Sequence, residues 1–577
     1  MIFFMLTQPA DPQSAKEQST QKAPQKIWLP PLLLTLGALL LLGLYWHRMT
    51  VGLVAPDAMD HAQLGRNLLA GHGFTTQILR PLGITDSANP LAQPDLTHGP
   101  LYPLLLALAF GMAGPKDSVV IGMSALFYLL TVPTLYAVGR RLFSAQVGLL
   151  AALIFMVNGS ILEYAVSGTP TTLILFLATC LVFTLFQAAT VGQREVEDGR
   201  AKVVKTPFVL AGLLSSLLTL TDPLYLWILP VLTIAIPLML SAKYPNRQVA
   251  TTCYFLLPLA LLALPCMFRF GALSGNPFFG LRGAEFWMGT KSYPGFLGYR
   301  LFPGDIVGGF GSAKQVLLKL FLGLTNAPAV LLHLPAAWVL LFVVPGLFFG
   351  FADPALGRVR TIVFACLVTV FTGSLLLTFN PVVLMVVFPG LLIFALHYLV
   401  HLVRQARLPK SSMGMVVGLF GLALLSPLAA NLVTTVTPAT TPQAAVAHSL
   451  GSRSHPDDVV FSDQPWIVAW YADRPSVWIP ADDAKMANLR KRFVRANWLF
   501  LTPEAGKLSP EWNLALNDLW GWERQYQEAQ RTGDTLPAPL PIPRNQMPIT
   551  EAIEGFAALP PVEKEGITAV VAAAPPK

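Results

Sequence analysis

The feature that most restricts how this chain can fold is its series of long apolar runs, because about 17–25 apolar residues is the length that crosses a bilayer as a helix. Eleven such runs occur among the 577 residues. They predict an all-α polytopic membrane domain over residues 27–436. In chain order the runs cover residues 28–46, 118–138, 146–165, 170–190, 207–221, 224–240, 249–270, 327–350, 360–378, 381–400 and 412–436.

Two places in this series leave alternatives open. The runs 207–221 and 224–240 are short and are separated only by Asp222 and Pro223. The segment 100–113 is also apolar, but it is short for a span and begins Pro-Leu-Tyr-Pro. We interpret it as a re-entrant or juxtamembrane element; if it does span, one of the other runs does not.

The composition agrees with a membrane protein. The chain is 54% hydrophobic and only 12% charged, against roughly 25% charged residues in a soluble domain. Its net charge of +8 comes largely from connectors between apolar runs, so it indicates membrane lipid as the surroundings and no nucleic-acid partner. The four cysteines have no metal-ligand spacing and are interpreted as small buried hydrophobes.

The basic connectors predict an orientation, because Lys and Arg hold short loops on the cytoplasmic side. If the N-terminus is cytoplasmic, five basic connectors of an eleven-span chain fall on that side. The polar residues 1–26 then form a disordered cytoplasmic tail in a protein of the cytoplasmic (inner) membrane. The connectors contain Arg140–Arg141, residues 192–205, Lys243 with Arg247, Arg358 with Arg360, and residues 404–410.

Three regions are then extracytoplasmic: loop 47–98, loop 271–326, and residues 437–577. The last region contains short strand-like segments at 458–463, 476–480 and 497–502, with a helical pattern at 482–493. This alternation predicts a small soluble α/β domain that ends in a Pro/Ala-rich tail.

Chemistry is indicated by two carboxylates at the edge of the membrane. Asp57 and Asp60 follow Pro56, and their spacing places both on one face if the segment is helical. Proline and acidic residues are both favoured where a helix begins. An Asp in this place can cap a surface helix, or it can act as a general base on an acceptor hydroxyl or amine.

The surroundings of this pair favour the second interpretation, because the segment resembles the first external loop of the GT-C glycosyltransferases. In the branch that uses polyprenyl-phosphate sugars, which includes protein O-mannosyltransferases and lipid A aminoarabinose transferases, this loop has the pattern D-E-x-x-Y-A-x-x-A. Asp57 takes the Asp position and His61 the Tyr position, while Ala62 and Gly65 take the two Ala positions. Ala58 stands where the family has Glu, and Asp60 is the acid that could compensate from the next turn.

The later part of the pattern is similar as well. A Gly-rich turn follows at residues 71–74, and His98 takes the basic position before Gly99-Pro100-Leu101-Tyr102, where the family has Pro-Pro-Leu-Tyr. The resemblance implies a GT-C-like fold in which Asp57 is the base and cations hold the donor phosphate. The implied candidates for the phosphate are His98, Arg80, Lys291, Arg282 and Arg300.

The resemblance implies an integral-membrane glycosyltransferase. Its partners are a polyprenyl-phosphate-linked sugar as donor and a lipid, glycan or protein as extracytoplasmic acceptor. The alternative is a transporter or flippase of lipid-linked saccharide without glycosidic chemistry. A transporter more often has internal repeats, broken helices and charges at the bilayer midplane; none of these is evident in the sequence, and the candidate charges cluster at one face. We expect no cofactor; whether a divalent metal is required stays open.

Overall fold

The computed structural model describes two compact units, each assembled from three separate parts of the chain. The first, here called the helical unit, comprises Met1–Thr50, Ile121–Arg269 and Leu320–Thr437. The second, here called the mixed unit, comprises Val51–Val120, Phe270–Lys319 and Pro438–Lys577. Described residues are 29–50, 52–84, 93–198, 204–240, 245–288, 299–300, 313–332, 341–377, 381–406, 442–480, 498–502, 556–558 and 569–573, with isolated positions elsewhere.

The helices of the described residues have the following bounds in chain order: α1 Leu29–Met49, α2 Pro56–Leu69, α3 Leu101–Ala113, α4 Asp117–Leu142, α5 Ala145–Val157, α6 Gly159–Ser167, α7 Thr171–Asp198, α8 Thr206–Thr221, α9 Leu229–Leu238, α10 Pro245–Ser274, α11 Ala313–Leu332, α12 Val343–Phe348, α13 Pro354–Leu376, α14 Phe388–Gln405, α15 Pro442–Arg453 and α16 Pro465–Ile467. The strands are β1 Thr75–Thr76, β2 Ile78–Leu79, β3 Gln93–Pro94, β4 Val460–Ser462, β5 Ser476–Trp478, β6 Trp498–Leu501, β7 Phe556–Ala558 and β8 Ala569–Ala573.

Six helices of the described residues are long and apolar enough to cross a membrane, and the bent pair α5 and α6 makes a seventh if it is one span. The six are α1, α4, α7, α10, α13 and α14, and each overlaps a run that the sequence indicates as a span. The protein is therefore a multi-pass membrane protein. The pair α5 and α6 is bent by 62° at Asn158, whose side chain caps α6 by accepting from the Ile161 N–H.

Within the described residues, the other apolar runs do not form helices as long as these six. Run 207–221 becomes the 16-residue helix α8, which ends at Asp222. The Asp222 side chain accepts from the Leu224 N–H, and residues Pro223–Ile228 form a 3₁₀ helix before α9, so run 224–240 is broken. Run 327–350 contains the end of α11 and the whole of α12. Run 412–436 and the N-terminal tail 1–26 lie largely or wholly outside the described residues.

The segment 100–113 forms α3, a 13-residue helix that is shorter than the six candidate spans. Loop 271–326 is also more regular than a structureless connector. Helix α10 continues to Ser274, a 3₁₀ helix occupies Gly280–Phe286, and α11 begins at Ala313. Segments of loop 47–98 and of loop 271–326 thus belong to the mixed unit.

The mixed unit contains a six-stranded sheet in the order β2-β5-β4-β6-β8-β7. The first four strands are parallel, and β8 and β7 are added antiparallel. Strands β4, β5 and β6 lie inside the three segments with strand-like patterns. Strand β2, however, comes from loop 47–98, so this sheet is not made by residues 437–577 alone. The helical pattern at 482–493 lies largely outside the described residues.

Candidate active site

The site begins with helix α2, whose first turn carries Asp57. Pro56 occupies the start of the helix, and Asp57 lies in its first turn, where a carboxylate is favoured by the helix dipole. Asp60 follows one turn later and is buried, as is His61. The Asp57 side chain is 59% exposed, against 6% for Asp60. The two acids thus share a helix but not an environment.

Helix α3 packs tightly against α2 and fixes its position. A Cβ atom at Gly65 would lie 2.9 Å from the Cβ atom of Leu106 and 3.2 Å from the carbonyl oxygen of Pro103. Only a residue without a side chain fits this approach unless the helices separate. Tyr102 of α3 is fully buried, and its ring meets the His61 ring edge-on at a centroid distance of 5.4 Å.

The turn at residues 95–98 brings His98 to α2. Strands β1 and β3 pair antiparallel, and the Asp95 N–H donates to the carbonyl oxygen of Phe74, so the turn lies beside these two strands. On its other side, the Leu281 N–H donates to the carbonyl oxygen of Leu96. Gly280 has φ +55°, and a Cβ there would lie 2.2 Å from that same oxygen. The turn is therefore held from both sides, by residues of loop 47–98 and of loop 271–326.

Three carboxylates surround the His98 ring. Its Nε2 lies 3.6 Å from Asp57 Oδ1 and 3.6 Å from Asp60 Oδ2. Its Nδ1 lies 3.4 Å from Asp95 Oδ1 and 2.8 Å from Thr97 Oγ1. An imidazole between three acids is stabilised in its charged form.

Arg80, which directly follows β2, is the second cation beside these acids. Together with Asp57, Asp60, Asp95 and His98 it forms what is here called the cluster. Its Nη2 donates to Asp60 Oδ2, and its Nη1 lies 3.8 Å from Asp95 Oδ1. Asp60 also accepts from Gln63 Nε2 at 3.1 Å. Gln63 in turn accepts from the Gln77 N–H, which ties α2 to the chain just before β2. Asp60 is thus part of a buried polar network.

The charges of the cluster shift its protonation equilibria. Burial alone would lower the pKa of His98, but the charges of Asp60 and Asp95, with the hydrogen bond to Asp57, raise this pKa to about 10. Burial and the charge of His98 lower the pKa of His61 to about 4, so this imidazole is neutral. Partial desolvation would raise the pKa of Asp57, but hydrogen bonding to His98 and nearby positive charge hold it well below its usual range.

The remaining candidate cations have different surroundings. Arg282 donates from Nε to Glu285 Oε1 at 2.9 Å, and its charge contributes to lowering the pKa of Asp57, so it lies within electrostatic reach of that carboxylate. Arg300 is buried, and it donates to the carbonyl oxygens of Ile479 and Pro480 just beyond β5. Lys291 lies outside the described residues. The structure thus brings His98, Arg80 and Arg282 towards the acids, while Arg300 bonds to backbone.

Two groups of three side chains have potential metal-ligand atoms within 4.8 Å of one another: Asp57, His61 and His98, and Asp60, Asp95 and His98. Both groups use His98, and Arg80 already neutralises part of the second group. A metal ion at either group would need the neutral form of the His98 ring, because a ligating nitrogen must be deprotonated.

Sequence reasoning missed Asp95, which is fully buried at the centre of this cluster. The signal that could have found it is the spacing Asp95-Leu96-Thr97-His98, in which an Asp side chain can bond backbone N–H groups two and three residues later. It also missed Tyr299, whose hydroxyl donates to Glu285 Oε1 at 2.6 Å beside Arg282.

Comparison with known proteins connects this geometry to a family. Residues 97–268 match the family model of dolichyl-phosphate-mannose-protein mannosyltransferase. None of the curated proteins matches the sequence. The fold is similar to that of ArnT from Cupriavidus metallidurans bound to undecaprenyl phosphate, with a TM-score of 0.57 and 13% identity over 95% of this chain and 99% of that chain.

The fold is also similar to that of the archaeal oligosaccharyltransferase AglB from Archaeoglobus fulgidus in complex with an inhibitory peptide and a dolichol-phosphate. The TM-score is 0.56 at 13% identity, over 84% of this chain and 70% of that chain. At such identities the likeness establishes the fold alone. The GT-C fold that the sequence predicts is confirmed, and the family match does not favour a transporter. The chain is thus a multi-pass membrane protein with the fold of these proteins, and part of it, residues 97–268, is similar to a mannosyltransferase family model.

Proposed function

We propose that this protein is a glycosyltransferase that moves a sugar from a polyprenyl-phosphate carrier to an extracytoplasmic acceptor, with Asp57 as the catalytic base. The observation that carries the proposal is the pairing of an accessible carboxylate with a fixed cation. Asp57 is 59% exposed, and its Oδ1 lies 3.6 Å from His98 Nε2. Transfer from a phosphate needs a base for the acceptor and a positive charge for the leaving group, and these two groups supply them side by side.

The low pKa of Asp57 keeps its carboxylate ionised but makes it a weak base, so it takes the acceptor's proton only as the attack makes that proton strongly acidic. As the acceptor oxygen or nitrogen attacks the anomeric carbon, its proton passes to Asp57. The bond between that carbon and the phosphate oxygen breaks, and the phosphate leaves with the electron pair. General-base assistance of this kind contributes about 10²–10⁴-fold to the rate.

The leaving phosphate gains charge during this step, so a cation that is already in place stabilises the transition state more than the ground state. His98 is such a cation, and its raised pKa keeps it charged at neutral pH. Arg282 is the second candidate, because its charge reaches Asp57. Arg80 is bound to Asp60 and Asp95, so we assign it to positioning these acids. Lys291 remains a candidate from the sequence.

The donor class is supported by what the related proteins bind. The family model describes an enzyme of dolichyl-phosphate-mannose, and the similar structures contain undecaprenyl phosphate or dolichol-phosphate. For this chain we propose a polyprenyl-phosphate-linked sugar as donor and a lipid, glycan or protein as acceptor. The basic connectors support a cytoplasmic membrane location with the N-terminus inside and the site outside.

The test uses purified full-length protein in lipid nanodiscs with a polyprenyl phosphate that carries a radiolabelled sugar. We expect acceptor-dependent release of unlabelled polyprenyl phosphate, which is lost in Asp57→Asn. A transporter would instead move the intact lipid-linked saccharide between leaflets of proteoliposomes. Movement of intact donor without any release of polyprenyl phosphate, across several sugars and acceptors, would overturn the proposal.

A further inference from the structure

Both carboxylate oxygens of Asp95 have polar partners, although no part of the side chain is exposed to solvent. Oδ2 accepts from the Thr97 N–H at 3.1 Å and from the His98 N–H at 2.8 Å. Oδ1 accepts from Thr97 Oγ1 at 2.8 Å, and it lies 3.4 Å from His98 Nδ1 and 3.8 Å from Arg80 Nη1. One buried carboxylate thus shapes the turn and meets two cations.

We propose that Asp95 is a positioning residue for sugar transfer, which orients the His98 ring and supplies the lasting counter-charge between His98 and Arg80. This inference rests on the proposed function, in which His98 meets the donor phosphate. It adds to that function a residue with no place in the sequence motif.

The turn alone does not require a charge at position 95. A neutral Asn side chain also accepts hydrogen bonds from backbone N–H groups two and three residues later, as in Asx turns. Burying an ionised carboxylate is costly unless it is paired. The partners that justify the charge are His98 and Arg80, so the ionised state of Asp95 belongs to the cluster rather than to the turn.

The contact with Nδ1 also sets the direction of the ring. In an imidazole, the partner of one nitrogen fixes what the other nitrogen can do. With Asp95 and Thr97 at Nδ1, the Nε2 side faces Asp57 and Asp60. A ring released from Asp95 could turn away from the place where the donor phosphate is proposed to bind.

Asp95 differs from the other acids in what happens to it during the reaction. Among the described residues, the titratable or charged groups that face His98 or its neighbours are Asp57, Asp60 and His61 of α2, Arg80 after β2, Asp95, Tyr102 of α3, and Arg282 and Tyr299 of loop 271–326. Asp57 loses its charge when it accepts the acceptor proton, and Asp60 is bonded to Arg80. Asp95 is the acid on the Nδ1 side, and it stays ionised throughout.

The test measures the protonation of His98 without using activity. Full-length protein without donor is treated with diethylpyrocarbonate, which attacks neutral imidazoles, at pH values from 6 to 11, and modification of His98 is followed by peptide mass spectrometry. The midpoint of the pH dependence reports the pKa, whereas the plateau reports accessibility, so a loosened turn does not imitate the effect. Exposed His72 serves as the internal reference.

In Asp95→Asn we expect the His98 midpoint to fall by about 1–3 pH units, the usual effect of one close charge. Asp117→Asn is the matched control. This acid holds Trp470 Nε1 at 2.7 Å and the Tyr471 hydroxyl at 2.9 Å, within the same unit but without contact to His98. Its His98 midpoint should equal that of the wild type. Asp95→Glu is the second variant if Asp95→Asn does not fold: it keeps the charge, so its midpoint should stay near the wild type.

An unchanged midpoint in Asp95→Asn overturns the inference, and so does a fallen midpoint in Asp95→Glu. The same variants are then assayed for sugar transfer against pH. If the pH at which kcat declines on the alkaline side falls together with the His98 midpoint, the whole inference is supported. A shifted His98 midpoint with an unchanged transfer profile overturns the place of His98 in the reaction, and with it the positioning role of Asp95. The failures of the two proposals are thus distinguishable.

Discussion

Asp57 and Asp60 are one helical turn apart, yet the residues around them assign them different tasks. Asp57 is open to a substrate and touches His98, whereas Asp60 is enclosed by Arg80 and Gln63. An open carboxylate can exchange a proton with an acceptor. An enclosed one is committed to its partners and can only hold them in place. Substitution should therefore affect activity and stability in different proportions at the two positions.

Asp57→Asn should lower the rate of sugar transfer by roughly 10²-fold or more, since the amide keeps the shape but cannot accept the proton. The free energy of unfolding should change little, because the side chain is exposed. Asp473→Asn is the control, because this acid is similarly exposed, at 58%. It pairs at 2.7 Å with Arg66, which lies on α2 like Asp57. Near-normal turnover in well-folded Asp57→Asn would contradict the assignment of the base.

Asp60→Asn should reduce both stability and transfer, by less than Asp57→Asn in rate. Removal of Asp60 takes away the carboxylate closest to the buried Arg80 guanidinium, whose Nη1 lies 3.8 Å from Asp95 Oδ1, and breaking a buried pair costs about 3–5 kcal/mol. Arg80→Gln should cost a similar amount, and the double variant should cost less than the sum. Chemical unfolding of the four proteins measures this coupling, which we expect at about 0.5–3 kcal/mol. Strict additivity would mean that the ion pair is not a stabilising unit.

The sequence was informative about these residues only where a motif orders them along the chain. Asp57 and His98 follow from the spacing of a pattern. Asp95 does not, because its meaning depends on the pairing of β1 with β3 and on contact with Leu281. Arg300 was named for its charge, but its donors bond to backbone carbonyls of a distant strand end. Charge can be read from a sequence, whereas the partner of a charge cannot.

At the scale of elements, the contact between α2 and α3 decides whether Asp57 and His98 can meet, since α3 begins directly after the His98 turn. Gly65→Ala places a Cβ 2.9 Å from Leu106 Cβ, so the helices must separate, at a cost of about 1–3 kcal/mol. Transfer should fall with stability, because Asp57 moves relative to His98.

Gly111→Ala tests the same helix pair without a clash, since its nearest neighbour across the interface is Leu69 Cδ1 at 3.7 Å. It should be neutral or stabilise α3 slightly, because Ala is a better helix former than Gly by about 0.8–1 kcal/mol. The unfolding temperature and the transfer rate should both fall in Gly65→Ala, whereas in Gly111→Ala they should stay unchanged or the unfolding temperature should rise. Equal effects would show that the helix contact at Gly65 is not tight.

Helices and strands could be predicted from the sequence where their apolar pattern is long. The strands β4, β5 and β6 and the six long helices coincide with patterns in the sequence. Strand β2 has two residues and no pattern of its own; pairing with β5 defines it. The break at Asp222 arises from a side-chain cap and Pro223, which a hydropathy average does not register.

At the scale of the whole molecule, the proposed chemistry requires the site and the donor's sugar to be on the extracytoplasmic side. The side of each segment is predicted by the basic connectors rather than by the fold. Position 452 precedes β4 in the mixed unit and is exposed, whereas position 246 lies at the exposed start of α10, beside Lys243 and Arg247. These two positions should lie on opposite sides of the membrane.

Single cysteines at these positions test the orientation, in a background in which Cys180, Cys253, Cys266 and Cys366 are replaced by Ala. A membrane-impermeant maleimide added to intact cells should label Ser452→Cys and leave Asn246→Cys unlabelled until the membrane is permeabilised. Because both side chains are exposed, a position that fails to react is protected by the membrane and not by burial within the protein. Labelling of Asn246→Cys in intact cells would invert the topology, and Asp57 would then face the compartment from which we exclude the acceptor.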